Sequence, residues 1–176
     1  MTTQYLLHEQ LGHVLAALTP SNELVCRVCL TTGLRVSDVL QLRPEQIRRN
    51  IWITEAKTGK RKQIGFSDEM RRAILAQSSK HWAFPSPKNA AKHRTRQAVW
   101  ADVKRAAKAF RLPQNVGTHS MRKVYAVELM ERYGDIERVR KALNHDRYTT
   151  TMLYAMADKL LREKPSRHTR RRSNAS

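Results

Sequence analysis

Six residues spread along the chain have side chains suited to attacking a phosphodiester without a metal ion. They are Arg35, Lys57, His119, Arg122, His145 and Tyr154. Guanidinium groups bind the nonbridging oxygens of a phosphate, histidines exchange protons near neutral pH, and a tyrosine hydroxyl can act as a nucleophile. This set of residue types therefore indicates cleavage of a nucleic-acid strand.

The same residue types suggest how protons would move during cleavage. The phenol of Tyr154 has an ordinary pKa of about 10, so its attack on phosphorus requires a base or an electropositive site. His119 is the candidate base, and its spacing from Arg122 places both side chains on one face of a predicted helix. Lys57 is the candidate proton donor to the departing 5′ oxygen, and His145 is expected to hydrogen-bond the scissile phosphate.

The net charge of the chain indicates an anionic partner. Its 34 Lys and Arg residues against 15 Asp and Glu residues give a formal charge of +19, which is more than solubility requires. The charge is regional, since residues 70–127 contain thirteen basic residues and a single acid, Asp102. Double-stranded DNA is the first candidate partner.

Other features of the sequence indicate a soluble cytoplasmic protein. No apolar run approaches the roughly twenty residues that span a bilayer, and the first residues lack a signal-peptide pattern. Cys26 and Cys29 have the spacing of half a zinc site, but no second pair of ligands accompanies them. We interpret them as free thiols in the core of a protein from a reducing compartment.

The first half of the chain is predicted to position Arg35 and Lys57 on different kinds of element. Apolar spacing predicts two helices, of which Gly33 ends the second, so that Arg35 opens a third, short helix. Residues 51–54 and 63–66 favour strands of a β-hairpin with Lys57 at its turn.

The basic region is predicted to lead from a loop into a helix. A helix over 67–78 is followed by a proline-broken loop over 82–87 and a basic run over 88–96. The next helix extends through residue 110, and its predicted buried face consists of Val99, Val103, Ala106, Ala107 and Phe110. A solvated basic face is the ordinary interpretation of the remaining cations, but the missing counter-acids favour contact with DNA. The candidate DNA-binding residues are Lys92, Arg94, Thr95, Arg96, Gln97, Lys104, Lys108 and Lys123.

The remaining residues are predicted to be helical as far as a basic tail. Apolar spacing indicates helices over 118–133, 135–143 and 147–163. The segment 165–176 lacks apolar anchors, and we expect it to be disordered.

Order and spacing together distinguish the six residues, because each taken alone is more often structural. Four segments carry them: Thr-Gly-Leu-Arg35-Val-Ser-Asp38, Lys57-Thr-Gly-Lys, His119-Ser-Met-Arg122, and Leu-Asn-His145 followed by Tyr154. In these segments the chain resembles the catalytic domain of the tyrosine recombinase, or phage integrase, family. The resemblance runs from about Leu6 to Leu160.

The resemblance implies an α+β, mainly helical fold with a small three-stranded antiparallel sheet. It also implies that the six residues form the active site and that Asp38 braces it. Members of the family cleave one DNA strand at a time, form a 3′-phosphotyrosine link with a free 5′ hydroxyl, and exchange strands within a tetramer on DNA. We therefore expect a site-specific recombinase of bacterial, phage or plasmid origin that needs no metal or other cofactor, tetrameric on DNA and able to be monomeric when free.

Two features depart from the family pattern. Asn144 stands where the family usually has glycine before the second histidine, which alters the turn but leaves the distance from His145 to Tyr154 intact. The chain also begins almost at the catalytic domain, so we expect that domain over 1–164, the basic tail over 165–176 and no N-terminal core-binding domain. A fragment and a natural minimal protein both fit this expectation.

Other functions stay open at this point. A type IB topoisomerase has a similar residue set and cleavage chemistry but relaxes supercoils as a monomer. A regulator could retain the fold and bind DNA without cleaving it, and an RNA-binding basic protein would share the charge. A metal nuclease is the weakest alternative, because the basic region has no paired carboxylates to hold two ions. The target sequence, the outcome of recombination and the choice between cis and trans cleavage are not determined by these residues.

Overall fold

Seven α-helices and two small antiparallel sheets form the part of the chain that the computed structural model describes, which is residue 4 and residues 6–144. The helices are α1 (His8–Ala16), α2 (Pro20–Thr32), α3 (Val36–Leu40), α4 (Asp68–Gln77), α5 (Arg96–Ala109), α6 (Thr118–Tyr133) and α7 (Ile136–Ala142). The strands are β1 (Asn50–Thr54), β2 (Arg61–Gly65), β3 (Pro85–Ser86) and β4 (Asn89–His93), and a 3₁₀ turn covers Pro44–Gln46. The predicted mainly helical fold with small antiparallel pairing is confirmed.

The turn between α2 and α3 places Arg35 at the start of a helix, as predicted. Gly33 follows α2 in the left-handed conformation, with a φ of 65°, and its N–H donates to the Cys29 carbonyl. Glycine adopts this conformation without a steric penalty, so it can end the helix and turn the chain. Arg35 is then the extended residue that precedes α3.

β1 and β2 form a hairpin whose two faces differ. Ile51 pairs with Ile64 and Ile53 pairs with Lys62, and all four residues are buried while their neighbours along each strand are exposed. This alternation is typical of a strand with one face on the core. The turn between the two strands carries Lys57, as predicted.

α2 lies against five other helices, and its contact with α6 is the most extensive of these. Val25 and Val28 of α2 share one buried cluster with Met121 of α6. Cys26 and Cys29 are buried and free, as predicted. This packing fixes the end of α2, and with it the turn into α3, against the helix that carries the second arginine.

β3 and β4 form a second hairpin in the described residues, separate from the first. The sequence indicated a loop and a basic run here, and the resemblance implied one three-stranded sheet. The described residues instead form two sheets of two strands each. Trp82 holds this hairpin, since its indole N–H donates to the Ala91 carbonyl over 3.0 Å and its ring meets His93 edge-on.

The predicted buried face of α5 is confirmed except at its last residue. Val99, Val103, Ala106 and Ala107 are buried, whereas Phe110 is 42% exposed. Because α5 ends before Phe110, this side chain leaves the buried stripe and stacks on His13 of α1, with ring centroids 4.9 Å apart.

The helices predicted over 118–133 and 135–143 are present as α6 and α7. The helix predicted over 147–163 and the tail over 165–176 lie outside the described residues. In the part of the chain that is described, no helix is long and apolar enough to cross a membrane.

Candidate active site

Arg35 reaches from the start of α3 to a buried carboxylate just after β1. Its Nη1 donates to Oε2 of Glu55 over 2.7 Å. The side chain of Arg35 is 14% exposed and that of Glu55 is 0% exposed, so the arginine forms the solvent side of the pair. A guanidinium has several N–H donors, so this contact orients Arg35 without exhausting its capacity to bind a phosphate.

Arg122 is buried in α6 and joins three segments of the chain. Its Nη1 donates to the Gly33 carbonyl and its Nη2 donates to the Leu143 carbonyl. Nη1 also lies 3.6 Å from Oε1 of Glu55. Arg122 therefore ties the turn that leads into α3 to the residue that follows α7.

Glu55 lies between the two guanidinium groups. Its Oε2 accepts a second hydrogen bond, from Oγ1 of Thr58 over 3.0 Å. Burial raises the pKa of Glu55, but the hydrogen bond from Arg35 and the charges of Arg122 and Arg35 outweigh it, so the pKa lies below its ordinary value. Glu55 is therefore an anion at neutral pH and holds two like charges near each other.

Lys57 lies exposed in the hairpin turn, two residues after Glu55. Asp38 of α3 braces this turn, because its Oδ1 accepts from the backbone N–H of Ala56 over 3.0 Å. Burial raises the pKa of Asp38, although the hydrogen bond from Ala56 acts in the opposite direction. Asp38, the predicted supporting residue, thus contacts the backbone beside Lys57.

His119 stands on α6 three residues before Arg122 and is exposed to solvent. Partial desolvation lowers its pKa, and so do the positive charges of Arg122, Arg35, Arg96 and Lys57. His119 is therefore neutral at neutral pH, which is the form that accepts a proton. The charges of both arginines and of the hairpin lysine thus reach His119.

Two site residues were missed by sequence reasoning, Glu55 and Lys62. Both are buried, and both fall on the inward-facing positions of the hairpin, which are otherwise filled by isoleucine. The signal was available in the alternation, because a charged residue in an inward series of strand positions requires a partner. Lys62 donates from Nζ to the Thr32 carbonyl over 2.5 Å.

The predicted DNA-binding residues separate into two groups. Those exposed to solvent are Lys92, Thr95, Arg96, Gln97 and Lys108. The others are engaged within the protein. Arg94 donates to Oδ1 of Asn22 over 3.1 Å, and Lys104 donates to Oδ1 of Asn115 over 2.5 Å. Lys123 is partly buried, which lowers its pKa.

The fold brings four of the six predicted active-site residues to one region. Arg35 and Arg122 meet at Glu55, and the charges of both arginines and of Lys57 act on His119. His145 and Tyr154 lie outside the described residues. The described part of the site is thus a set of cations around a buried carboxylate, an arrangement that suits a phosphate ligand.

Comparison with known proteins matches residues 4–160 to the phage integrase family. The integrase of Escherichia phage P2 is 30% identical over 154 residues, which are 87% of this chain and 43% of that protein. The catalytic domain of bacteriophage HP1 integrase has a similar structure, with a TM-score of 0.67 at 21% identity over 95% of this chain and 98% of that chain. XerH site-specific recombinase bound to its difH substrate gives a TM-score of 0.66 at 20% identity over 85% of this chain and 50% of that chain. The chain thus spans less than half the length of the P2 integrase.

Proposed function

The chain belongs to the phage integrase family, and we propose that it is a site-specific DNA recombinase that cleaves and rejoins strands through a 3′-phosphotyrosine intermediate. The observation that carries this proposal is the convergence of Arg35 and Arg122 on the two oxygens of Glu55. We place the chemistry in a catalytic domain over 1–164.

Arg35 and Arg122 would bind the nonbridging oxygens of the scissile phosphate. Negative charge on these oxygens grows in the pentacoordinate transition state, so groups that are already oriented stabilise that state most. Losing one such donor costs roughly a hundredfold to a thousandfold in rate. His145 would add a hydrogen bond to the same phosphate.

The cleavage step exchanges one phosphate ester for another. Oη of Tyr154 attacks phosphorus and the bond from phosphorus to the 5′ oxygen breaks. The phenol proton passes to His119, and Lys57 supplies a proton to the departing 5′ oxygen. Because the ester is kept as a protein link, the free 5′ hydroxyl of the same or another strand can reverse the step and rejoin DNA.

Double-stranded DNA is the proposed partner, and a tetramer on DNA is the proposed assembly for strand exchange, with a monomer in the absence of DNA. The formal charge of +19 supports an anionic partner. XerH, which is similar in structure, was solved with its DNA substrate. Relatives from a phage and from bacteria support a bacterial cytoplasm as the place of action.

The decisive experiment is incubation of the protein with nicked duplexes that contain candidate sites. The proposal expects a covalent adduct that survives detergent, forms in the presence of chelator and vanishes in Tyr154→Phe. Arg35→Ala should abolish the adduct yet retain most of the DNA binding. Arg27→Ala, which removes an exposed arginine paired with Glu23, is the matched control and should react as the wild type does.

Two results would support the rival functions instead. DNA binding without any adduct on the nicked sites would favour a regulator that does not cleave. Adduct formation together with relaxation of a supercoiled plasmid by the monomer would favour a type IB topoisomerase. Recombination between two sites carried on one plasmid would support the recombinase.

A further inference from the structure

Lys62 occupies a position in β2 that would ordinarily be apolar. It pairs with Ile53 across the hairpin, shares the inward face with Ile64 and is 9% exposed. An ammonium group in such a place is costly unless it is hydrogen-bonded or paired. Its presence therefore requires a compensating interaction in the surroundings.

The partner of Lys62 is the end of the helix that leads to Arg35. Nζ donates to the carbonyl of Thr32, the last residue of α2, over 2.5 Å. The next carbonyl, that of Gly33, accepts from Arg122. Two cations from β2 and α6 thus bind consecutive carbonyls at the negative end of the α2 dipole, where positive charge is stabilising. The ring of Tyr125 covers the ammonium group, with its centroid 5.4 Å from Nζ.

We infer that Lys62 is a positioning residue of the active site, which holds the end of α2 and hence Arg35, and adds a third positive charge to those of Arg35 and Arg122. The inference rests on the proposed function, because the phosphate is that of the cleaved strand. Lys62 acts through Arg35 and through the local potential, and Lys57 remains the proton donor.

The groups around Lys62 set the pH range in which its charge is present. Burial lowers the pKa of Lys62 to about 8, and the charges of Arg122 and Arg35 act in the same direction, while those of Glu55 and Asp38 oppose it. Of the other groups on the packed helices, Tyr125 on α6 and Cys29 on α2 stay neutral because burial raises the pKa of each. The ammonium charge is thus mostly present at about pH 7 and mostly absent at about pH 9.

The test compares Lys62→Met with the wild type in adduct formation on a nicked duplex at sub-saturating DNA, where the pH profile reports the free protein. The wild type is expected to react about tenfold faster at about pH 7 and about twofold faster at about pH 9, because loss of the ammonium charge makes the wild type resemble the variant. Lys80→Met removes one exposed charge after α4, and its rate relative to the wild type should be the same at both pH values.

Each outcome decides a different claim. A wild type that forms no adduct defeats the proposed function, and the inference, which rests on that function, falls with it. The inference is overturned if the wild type reacts and Lys62→Met reacts at the same rate. It is also overturned if the variant is slower by the same factor at both pH values, because the effect would then not depend on the ammonium charge.

Thermal unfolding at about pH 7 checks that Lys62→Met is folded. A single cooperative transition is expected, at a lower midpoint than that of the wild type, because the Thr32 carbonyl loses its donor. If the methionine variant does not fold, Lys62→Arg decides the question. Arginine keeps its charge across this range, so the rate of this variant relative to the wild type should rise with pH. A constant ratio for Lys62→Arg would also overturn the inference.

Discussion

Two guanidinium groups close enough to share one phosphate would repel each other, and Glu55 offsets this repulsion between Arg35 and Arg122. Its oxygens lie 2.7 Å from Nη1 of Arg35 and 3.6 Å from Nη1 of Arg122. Because Glu55 is fully buried, these attractions act where water screens them little. The guanidinium groups are therefore held in place before DNA binds, which is the preorganisation that electrostatic catalysis requires.

Replacing Glu55 with alanine is expected to lower the rate of strand cleavage about a hundredfold, since a displacement of about 1 Å in a binding group costs that much. DNA affinity should hold or rise, because the site becomes more positive. Glu55→Gln keeps an acceptor oxygen for Arg35 but removes the negative charge, so its rate should lie between those of the wild type and Glu55→Ala. Single-turnover cleavage of a nicked duplex and binding titrations measure the two effects separately.

The matched control for Glu55→Ala is Glu23→Ala. Glu23 pairs with Arg27 on the exposed side of α2, and such surface pairs contribute little. Cleavage by the control should equal that of the wild type. A Glu55→Ala protein that cleaves at the wild-type rate would show that the arginines need no carboxylate to hold them.

Residue types reveal which side chains can do chemistry, but not which of them share a buried environment. Arg35, Lys57 and Arg122 stand out in the sequence because their neighbours form recognisable segments. Glu55 and Lys62 lack such segments, and the strand alternation that marks them as inward-facing does not reveal which groups they contact. Their roles depend on contacts between distant segments, which spacing along the chain does not encode.

At the scale of elements, the turn after α2 depends on a close approach as well as on its backbone conformation. Gly33 and Gly134 end α2 and α6 with similar φ values of 65° and 62°. A Cβ at Gly33 would lie 2.4 Å from a ring carbon of Tyr125, whereas a Cβ at Gly134 would meet nothing within 4 Å. The two glycines therefore separate backbone strain from a steric clash.

Gly134→Ala is expected to lower the free energy of unfolding by about 1 kcal/mol, the cost of a left-handed alanine. Gly33→Ala should lower it by at least about 2 kcal/mol, because the Tyr125 ring must also move. Urea unfolding measures both changes. An equal fall in the free energy of unfolding in the two variants would mean that the Tyr125 ring moves without an energetic penalty. The approach of Tyr125 would then not constrain this turn.

Asp102 of α5 joins that helix to the beginning of α2. Its Oδ2 accepts from the backbone N–H of Thr19 over 2.9 Å and from Nδ2 of Asn22 over 2.8 Å, and its Oδ1 accepts from Arg105. Burial raises the pKa of Asp102, but the hydrogen bonds from Asn22, Thr19 and Arg105 outweigh it and bring the pKa to about 2. The single acid of residues 70–127 thus binds the residue before α2 and a side chain in its first turn.

Asp102→Ala is expected to lower the free energy of unfolding at neutral pH by about 2 kcal/mol. This is the free energy that corresponds to the lowering of the Asp102 pKa on folding. A carboxyl with a depressed folded pKa stabilises above its unfolded pKa, so the gap between wild type and variant should shrink as the pH falls from about 4 to about 2. Urea unfolding at several pH values measures the gap. The control is Asp68→Ala, whose exposed carboxylate pairs with Arg49 and Arg71 and should change stability less.

Elements whose apolar residues recur at regular spacing could be predicted from the sequence. Elements held by polar contacts could not. α6 begins and ends where its apolar spacing indicates. β4 consists of Asn89–His93, almost entirely exposed, so no alternation marks it, and its pairing depends on Trp82. The link from Asp102 to α2 was equally hidden, because a lone acid has no periodicity.

At the scale of the whole molecule, the basic residues behind the charge of +19 differ in their surroundings. Some are hydrogen-bonded within the protein and others are exposed. Lys104 and Arg94 donate hydrogen bonds within the protein, which leaves them fewer donors for an external anion. Arg96 and Lys108 are exposed near opposite ends of α5. Of these two, Arg96 is the one whose charge lowers the pKa of His119.

This difference gives the two residues of α5 separable effects. Arg96→Ala and Lys108→Ala should each weaken DNA binding and reduce the slope of log affinity against log salt by about 0.9, the value for one lost phosphate contact. Only Arg96→Ala should also shift the fall of the cleavage rate at low pH, the acid limb of the pH–rate profile, to higher pH. Removal of a positive charge raises the pKa of His119, so the base becomes protonated at a higher pH. Binding titrations across salt concentrations and cleavage rates between about pH 5 and 7 measure both effects. If the acid limb stays in place in Arg96→Ala, His119 is not the group that accepts the phenol proton.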